Sequence, residues 1–333
     1  MKTDCDIDFV IPWVDGSDPE WLAEFNKYAP TEQRRDIDRS EKRYRDYGLL
    51  RYWFRGVEKF APWVNKVHFI TCGQKPAWLN LAAPKLHWVR HSDYIRAEYL
   101  PVFSSHPIEI GMRAIPGLAE HFVYFNDDLF LTASVKKNFF FKHGLPCDSA
   151  VLGTISLTDI GHILLNNNDL INRTFSKRTV IRNNLWKWLN PAYGADVIRT
   201  LLLLPYKGFT GFHNYHFAVP YTKQLLEEVC AQFPDAIETT MKSRFRSQQD
   251  VNQYLFQDYR FCKGAFCPSN PRRRKKMFTL TDSNLSFVAE CIRRQKYAEV
   301  CINDSDDVDF ENAKTILTTA FKAILPEKSS FEV

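Results

Sequence analysis

The stretch His121-Phe-Val-Tyr-Phe-Asn-Asp-Asp128 decides the fold. Its first five residues are the aromatic and β-branched kind that builds a buried strand, and Asn126-Asp127-Asp128 ends the run. Leu129-Phe-Leu131 follows, so the polar turn is held in an apolar frame. Three earlier runs have the same form, at residues 7–14, 66–71 and 86–89. Between the first two, Leu49, Leu50, Trp53, Phe54, Val57 and Phe60 recur at helical spacing, which predicts an amphipathic helix. Asp46 lies near its start, where a carboxylate favours the helix dipole, and Pro62 follows its end. Alternating strand and helix predict βαβ units, hence an α/β fold with a Rossmann-like, mostly parallel sheet and flanking helices. Ligands of such sheets bind outside the carboxyl ends of the strands. Asp15-Gly-Ser-Asp18, Cys72-Gly-Gln74, His91-Ser-Asp93 and Asn126-Asp-Asp128 are the residues there, and aspartates in three of the four loops point to an enzyme.

Further along, residues 142–212 read as a helical insertion, with Asn166-Asn-Asn168, a helical stretch at 182–189 and the apolar run 201–204. The expected division is a Rossmann-like catalytic domain of residues 1–141 and 213–333, with the 142–212 insertion a candidate for acceptor binding. Helices are predicted at 220–233, at about 248–261 and at about 310–325, each near a proline stop or an acidic start. Pro271-Arg-Arg-Arg-Lys-Lys276 reads as a basic loop, either simply solvated or in contact with a polyanion or a membrane surface.

Composition sets outer limits. The chain of 333 residues is 45 % hydrophobic, enough for a sizeable core and against wholesale disorder. Its net charge of +5, from 44 basic and 39 acidic residues, is too small to indicate a nucleic-acid partner. The aromatic content of 14 % suits both a packed core and sugar-stacking surfaces. Eight scattered cysteines form no Cys-x-x-Cys pair, which excludes a zinc ribbon and fits thiols in a reducing compartment. No run approaches the ~20 apolar residues of a membrane span, and Met-Lys-Thr-Asp-Cys-Asp at the start lacks a signal core. The expectation is a cytoplasmic protein, with peripheral association at the inner face of a membrane as an option.

Several groups have the makings of a site. The paired carboxylates Asp127 and Asp128 can hold a divalent cation against a diphosphate, or one can act as general base; the plain alternative is a turn or cap. Trp13-Val-Asp-Gly-Ser-Asp18 offers Asp15, Gly16 and Asp18 to a ribose or base, and equally well an Asp-Gly turn with an N-cap and Pro19 in the first helical turn. His213-Asn-Tyr-His216 places two imidazoles three residues apart in a polar-aromatic loop. Arg244-Phe-Arg-Ser-Gln-Gln-Asp250 carries an arginine fork suited to phosphate. Asn303-Asp-Ser-Asp-Asp307 could add ligands or be the acidic start of the last helix, and it does not match an EF-hand loop.

Together these motifs resemble the Stealth family of polysaccharide phosphotransferases, bacterial capsule enzymes and the animal N-acetylglucosamine-1-phosphotransferase. The resemblance runs through Ile7-Asp-Phe-Val-Ile-Pro-Trp-Val-Asp-Gly-Ser-Asp-Pro-Glu-Trp21, then Leu50-Arg-Tyr52, Ala61-Pro-Trp63, Gln74-Lys-Pro-Ala-Trp-Leu79, Phe103-Ser-Ser-His-Pro-Ile-Glu109 and Tyr124-Phe-Asn-Asp-Asp128. It continues with residues 216–259, including Phe245-Arg-Ser247 and Asp250-Val-Asn-Gln253, and with Cys301-Ile-Asn-Asp304 to the tail Pro326-Glu-Lys-Ser-Ser-Phe331. The resemblance implies transfer of a sugar 1-phosphate, hexose or N-acetylhexosamine, from a nucleotide sugar to a saccharide hydroxyl, with a UDP-sugar such as UDP-N-acetylglucosamine as expected donor. It implies Asp127, Asp128, His216 and Arg246 as catalytic residues. Donor or acceptor contacts would come from Asp15, Gly16, Asp18, Arg51, Glu109, Arg113, Asn126, His213, Asp250 and Asn303. Mg2+ or Mn2+ would sit on Asp128 and Asp304. The implied partners are the nucleotide-sugar donor, a polysaccharide or oligosaccharide acceptor and, peripherally, capsule assembly machinery; no nucleic acid is implied. Two other classes share the Asp-Asp turn: a metal-dependent glycosyltransferase that attacks the anomeric carbon, and a carbohydrate-binding protein without turnover.

Overall fold

The computed structural model describes residues 5–29, 46–156 and 160–333. Among them the strands are β1 (Ile7–Pro12), β2 (Val67–Thr71), β3 (Leu86–Arg90), β4 (His121–Tyr124), β5 (Leu129–Leu131), β6 (Phe141–Lys142), β7 (Leu145–Asp148), β8 (Val219–Thr222), β9 (Cys267–Pro268), β10 (Lys275–Thr279) and β11 (Glu299–Asn303). The main sheet has the order β3-β2-β1-β4-β8. β1 to β4 run parallel, and β8 closes the edge antiparallel to β4. The α/β fold class and its mostly parallel sheet are therefore as the sequence predicts.

Apolar residues alternate across this sheet with period two. Phe9, Ile11, Phe69, Val123 and Phe125 enter a core on one face with Trp53, Phe54 and Val57 of the Leu50–Phe60 helix. Val10, Ile70, Phe122 and Tyr124 enter a second core on the other face. With both faces covered, the strands carry near-continuous apolar runs, which is why they stand out in the sequence. The Leu50–Phe60 helix also lies tightly on β5: a Cβ on Gly56 would come 2.8 Å from the Leu131 carbonyl oxygen. The sheet runs outward from β1 to β3 and then returns to β4 on the other side of β1. The crevice between the carboxyl ends of β1 and β4 is thus a topological switch point, the usual ligand position of such sheets.

A second sheet completes that crevice. β10 and β11 are parallel, and β11 runs antiparallel to β5. Because β5 starts directly after Asp128, its pairing sets Cys301 opposite Leu129 and lets Ile302 N donate to Asp128 O at 2.9 Å. The third sheet, β6-β7-β9, joins the start of the region read as helical to Cys267–Pro268.

Several local expectations change. Residues 142–212 open with the end of β6 and with β7, because Lys142 pairs with Leu145 and Cys147 and Asp148 pair with Cys267 and Pro268; helices follow at Gly161–Thr174, Lys177–Asn183, Leu185–Trp188 and Asp196–Leu203. Ile171, Val180, Trp188 and Phe209 of this segment share a core with Phe122, Tyr221 and Leu255 of the main body. Residues 219–222 form β8, and the helix begins only at Lys223, where the Thr222 hydroxyl accepts from Leu225 N. The helix expected from 248 starts at Tyr254, since Asp250 is buried in a preceding turn. Lys275 and Lys276 belong to β10 rather than to a loop. Asp46 does not cap the Leu50–Phe60 helix; its Oδ1 accepts from Gly48 N at 2.6 Å in the turn before it. The last helix, Phe310–Ile324, is capped by Asp309 as its acidic start suggests.

Candidate active site

At the end of β4 the chain turns sharply: Phe125 N bonds to Val10 O on β1, and Leu129 N returns to Asn126 O at 3.2 Å. Asp127 and Asp128 project from this turn. Asp128 Oδ2 lies 3.1 Å from His216 Nε2 and accepts from Cys301 Sγ at 3.2 Å. Its other oxygen, Oδ1, is buried and lacks a hydrogen-bond partner among the described residues. The ligand atoms of Asp128, His216 and Cys301 all lie within 4.8 Å of one another, as metal ligands do. The Asn303 Oδ1 edge is 3.5 Å from Cys301 Sγ, so Asn303 borders the group.

His216 is held from three sides. Its φ is +51°, in the left-handed region that a histidine seldom occupies. Its backbone N–H is fixed by Asn214 Oδ1 at 2.7 Å, and its Nδ1 faces Tyr254 OH at 3.3 Å. Two residues on, Ala218 N donates to buried Glu299 Oε1 at 2.6 Å, which ties this loop to the strand that carries Cys301.

The charges in the turn oppose one another. Asp127 reaches solvent at the mouth of the crevice, yet desolvation by the enclosing protein and repulsion from Asp128 push its carboxyl up to about 7. For His216, burial disfavours the charged ring, but the Asp128 hydrogen bond and the negative field of Asp128, Asp127 and Glu109 outweigh it and raise its pKa. The Cys301 thiol is driven far upward by burial and by Asp128, so it is a neutral donor here. A carboxyl poised near neutrality beside a stabilised imidazolium is a combination suited to acid–base chemistry.

A second group adjoins the first. Glu109, on the helix Ser105–Gly111, is buried, accepts from Tyr124 OH at 3.3 Å, and acts electrostatically on both His216 and Tyr254. Burial raises its pKa, while His106, Gln253 N–H and Arg246 pull the other way. Arg246 is exposed on the segment before Asp250. Asp250 pins that segment by accepting from Ser247 N at 3.0 Å and by pairing with His106 Nδ1 at 2.9 Å.

The crevice thus gathers Asn126, Asp127, Asp128, His216 and Asn303, with Glu109, Arg246 and Asp250 beside them. Other candidates are engaged elsewhere. Asp15 Oδ1 accepts from Ser17 N and Oγ at 2.9 and 2.6 Å, with Gly16 in the turn between. Asp18 caps the Pro19–Tyr28 helix through Glu20 N and takes a bond from Gln74 Nε2, which lowers its pKa. Arg51 lies over the Trp78 ring at 5.6 Å, and Arg113 lies against the Cys230 thiol. His213 packs edge-on against Tyr215 at 4.4 Å, where burial and the cations Arg199 and Arg272 lower its pKa. Asp304 Oδ1 accepts from Tyr47 OH at 2.6 Å, and Asp304 is not among the clustered ligand atoms of Asp128, His216 and Cys301. Cys301 and Tyr254 went unread as site residues: they meet the turn only through the fold, and no local spacing marks them. A cavity of about 20 Å³ beside Asn214 and Tyr254 has room for one water, not a sugar.

Three segments of the chain match conserved regions of one family: Stealth conserved region 1 over residues 6–32, region 2 over 43–147 and region 3 over 215–256. The chain belongs to the Stealth family. The matched regions carry Asp127, Asp128, His216 and Arg246, and none of them covers Cys301. Among Stealth-like relatives, a capsular polysaccharide phosphotransferase WcwK of Streptococcus pneumoniae is 38% identical over 100% of this chain and 99% of its own. The receptor polysaccharide phosphotransferase WefC of Streptococcus gordonii is 39% identical over 98% of this chain and 99% of its own. Among solved structures, the galactosyltransferase LgtC with donor and acceptor sugar analogues gives a TM-score of 0.39 at 12% identity, covering 94% of this chain and 95% of that one. This Stealth protein is a transferase enzyme. No described helix is long and apolar enough to cross a membrane.

Proposed function

We propose that this enzyme transfers a sugar 1-phosphate, from a UDP-sugar carrying a hexose or N-acetylhexosamine, to a hydroxyl of a capsular or cell-surface saccharide. The observation that carries the reading is the 3.1 Å contact of Asp128 with His216, next to Asp127, in the switch-point crevice. Asp127 in its ionised form takes the proton of the acceptor hydroxyl. The acceptor oxygen bonds to the sugar-bearing phosphorus, the bridging P–O bond breaks, and a nucleoside monophosphate leaves. The His216 imidazolium, oriented by Asp128, and Arg246 stabilise charge on the phosphoryl oxygens. Asn126 and Asn303 border the donor. The segment 142–212, and His213 just after it, would contribute acceptor contacts.

A divalent cation fits this site in part. The buried, unpartnered Asp128 Oδ1 is an oxygen donor of the kind Mg2+ or Mn2+ prefers, whereas the Cys301 thiol is a poor ligand for either. Asp128 would hold the ion, with Asp304 as a more distant carboxylate, and the ion would neutralise the diphosphate.

The test is product analysis. Purified enzyme is incubated with a panel of nucleotide sugars and saccharide acceptors, and products are read by phosphorus NMR. A nucleoside monophosphate and a phosphodiester in the product are expected. A nucleoside diphosphate with a phosphorus-free product would instead mean glycosyl transfer, and donor binding without turnover would mean a binding protein.

A further inference from the structure

The helix Asp196–Leu203 is built inside out. Its buried positions are Asp196 and Thr200, one turn apart, and both are polar. Asp196 accepts from Tyr215 OH at 3.0 Å and from Arg272 at 3.2 Å, and the Thr200 hydroxyl accepts from Leu152 N at 3.1 Å. Three of its apolar residues face outward: Ile198 is 58% exposed, Leu201 46% and Leu202 70%, while Val197 and Leu203 are half-buried. A helix on a protein surface ordinarily does the reverse. The neighbouring helix Leu185–Trp188 adds Leu185 and Trp186, the latter 71% exposed, and Tyr206 is exposed just beyond Leu203. Exposed large apolar side chains are thus concentrated in one short segment, which marks an interaction surface.

Charge says what covers it. Residues 170–210 contain seven Lys or Arg and one acidic residue, Asp196. Lys177 and Lys187 are committed to backbone carbonyls, and Arg173 pairs with Asp169. Arg178, Arg182, Arg199 and Lys207 are exposed. The basic turn 271–274 packs on the inner side of the same helix, where Arg272 bridges to Asp196 and lies over Tyr215. Leucine, isoleucine, tryptophan and tyrosine interspersed with arginine are what shallow insertion into an anionic bilayer requires. Pairing of two copies through this face would set like charges against each other.

We infer that the face formed by the Leu185–Trp188 and Asp196–Leu203 helices docks on an anionic phospholipid surface, with Ile198, Leu201, Leu202 and Trp186 entering the headgroup boundary and the arginines contacting lipid phosphates.

The experiment is flotation of the full chain with vesicles of phosphatidylcholine alone or mixed with phosphatidylglycerol. Wild type should float with the anionic vesicles at low salt and stay behind with neutral ones. Arg178→Gln/Arg182→Gln should weaken binding roughly thirtyfold, since each surface cation contributes about 1 kcal/mol, and Leu201→Ser/Leu202→Ser should weaken it roughly tenfold or more through lost apolar burial. All of these side chains are exposed, so melting temperatures should stay near wild type. Wild type that fails to float with anionic vesicles overturns the inference, as do variants that bind undiminished. Light scattering in which Leu201→Ser/Leu202→Ser turns a dimer into a monomer would also overturn it, by assigning the face to a second copy.

Discussion

Two acidic turns, each at the carboxyl end of a buried strand, look alike in the sequence and differ in the structure. After β1, Ser17 and Glu20 N–H satisfy Asp15 and Asp18 within the turn itself, Asp18 caps a helix, and Gln74, 56 positions on, adds a second bond to Asp18. After β4, Asp128 finds its partners 88 and 173 positions away, and one of its oxygens is left unsatisfied. Its neighbour Asp127 is held up to about 7, while Asp18 is held below the ordinary carboxylate range. Carboxylates that satisfy themselves locally stabilise a turn. Carboxylates crowded together and denied local partners keep their reactivity.

The comparison can be broken by substitution. The largest effect is expected at Asp127. Asp127→Asn should lower kcat roughly 10³-fold, within the range of lost general bases, with little change in donor KM. In wild type, activity should rise as pH rises through about 7, where Asp127 loses its proton, and fall again as His216 loses its own above its ordinary value. Asp127→Asn should abolish the acid limb and keep the alkaline one; an unchanged profile would remove Asp127 from the role of base. His216→Ala comes next, with a loss of roughly 10²-fold in kcat, the scale of one transition-state hydrogen-bond donor, and loss of the alkaline limb. The smallest effect on turnover belongs to the first turn. Asp18→Ala should lower the melting temperature through loss of the helix cap while kcat stays near wild type; a large fall in kcat would mean that both turns are catalytic.

What could be read from the sequence follows the same division between local and distant. The four parallel strands were legible because burial on both faces leaves continuous apolar runs. The Leu50–Phe60 helix was legible because its core side repeats at helical spacing. β5 is three residues long, and β11 begins with the buried Glu299, so neither shows a usable pattern. Yet the pairing of β5 with β11 assembles half of the site. Asp127, Asp128, His216 and Arg246 stand out as candidates in the sequence because each lies in a local pattern, a strand-end acidic turn, a paired-histidine loop and an arginine fork. Cys301 and Tyr254 join the site only through tertiary contacts, and the Gln74 bond that occupies Asp18 crosses 56 positions of the chain. The insertion was misread at its start because Cys147 and Asp148 take their strand partners from Cys267 and Pro268, more than a hundred residues on.

The most direct measurement is a carboxyl titration by carbon NMR on protein labelled at aspartate side chains, with Asp127→Asn and Asp18→Asn to assign the signals. Asp127 should titrate at about 7 and Asp18 below the ordinary carboxylate range. If the two signals titrate together in the ordinary carboxylate range, the β4 turn is no more poised for chemistry than the β1 turn, and the assignment of the base to Asp127 is wrong.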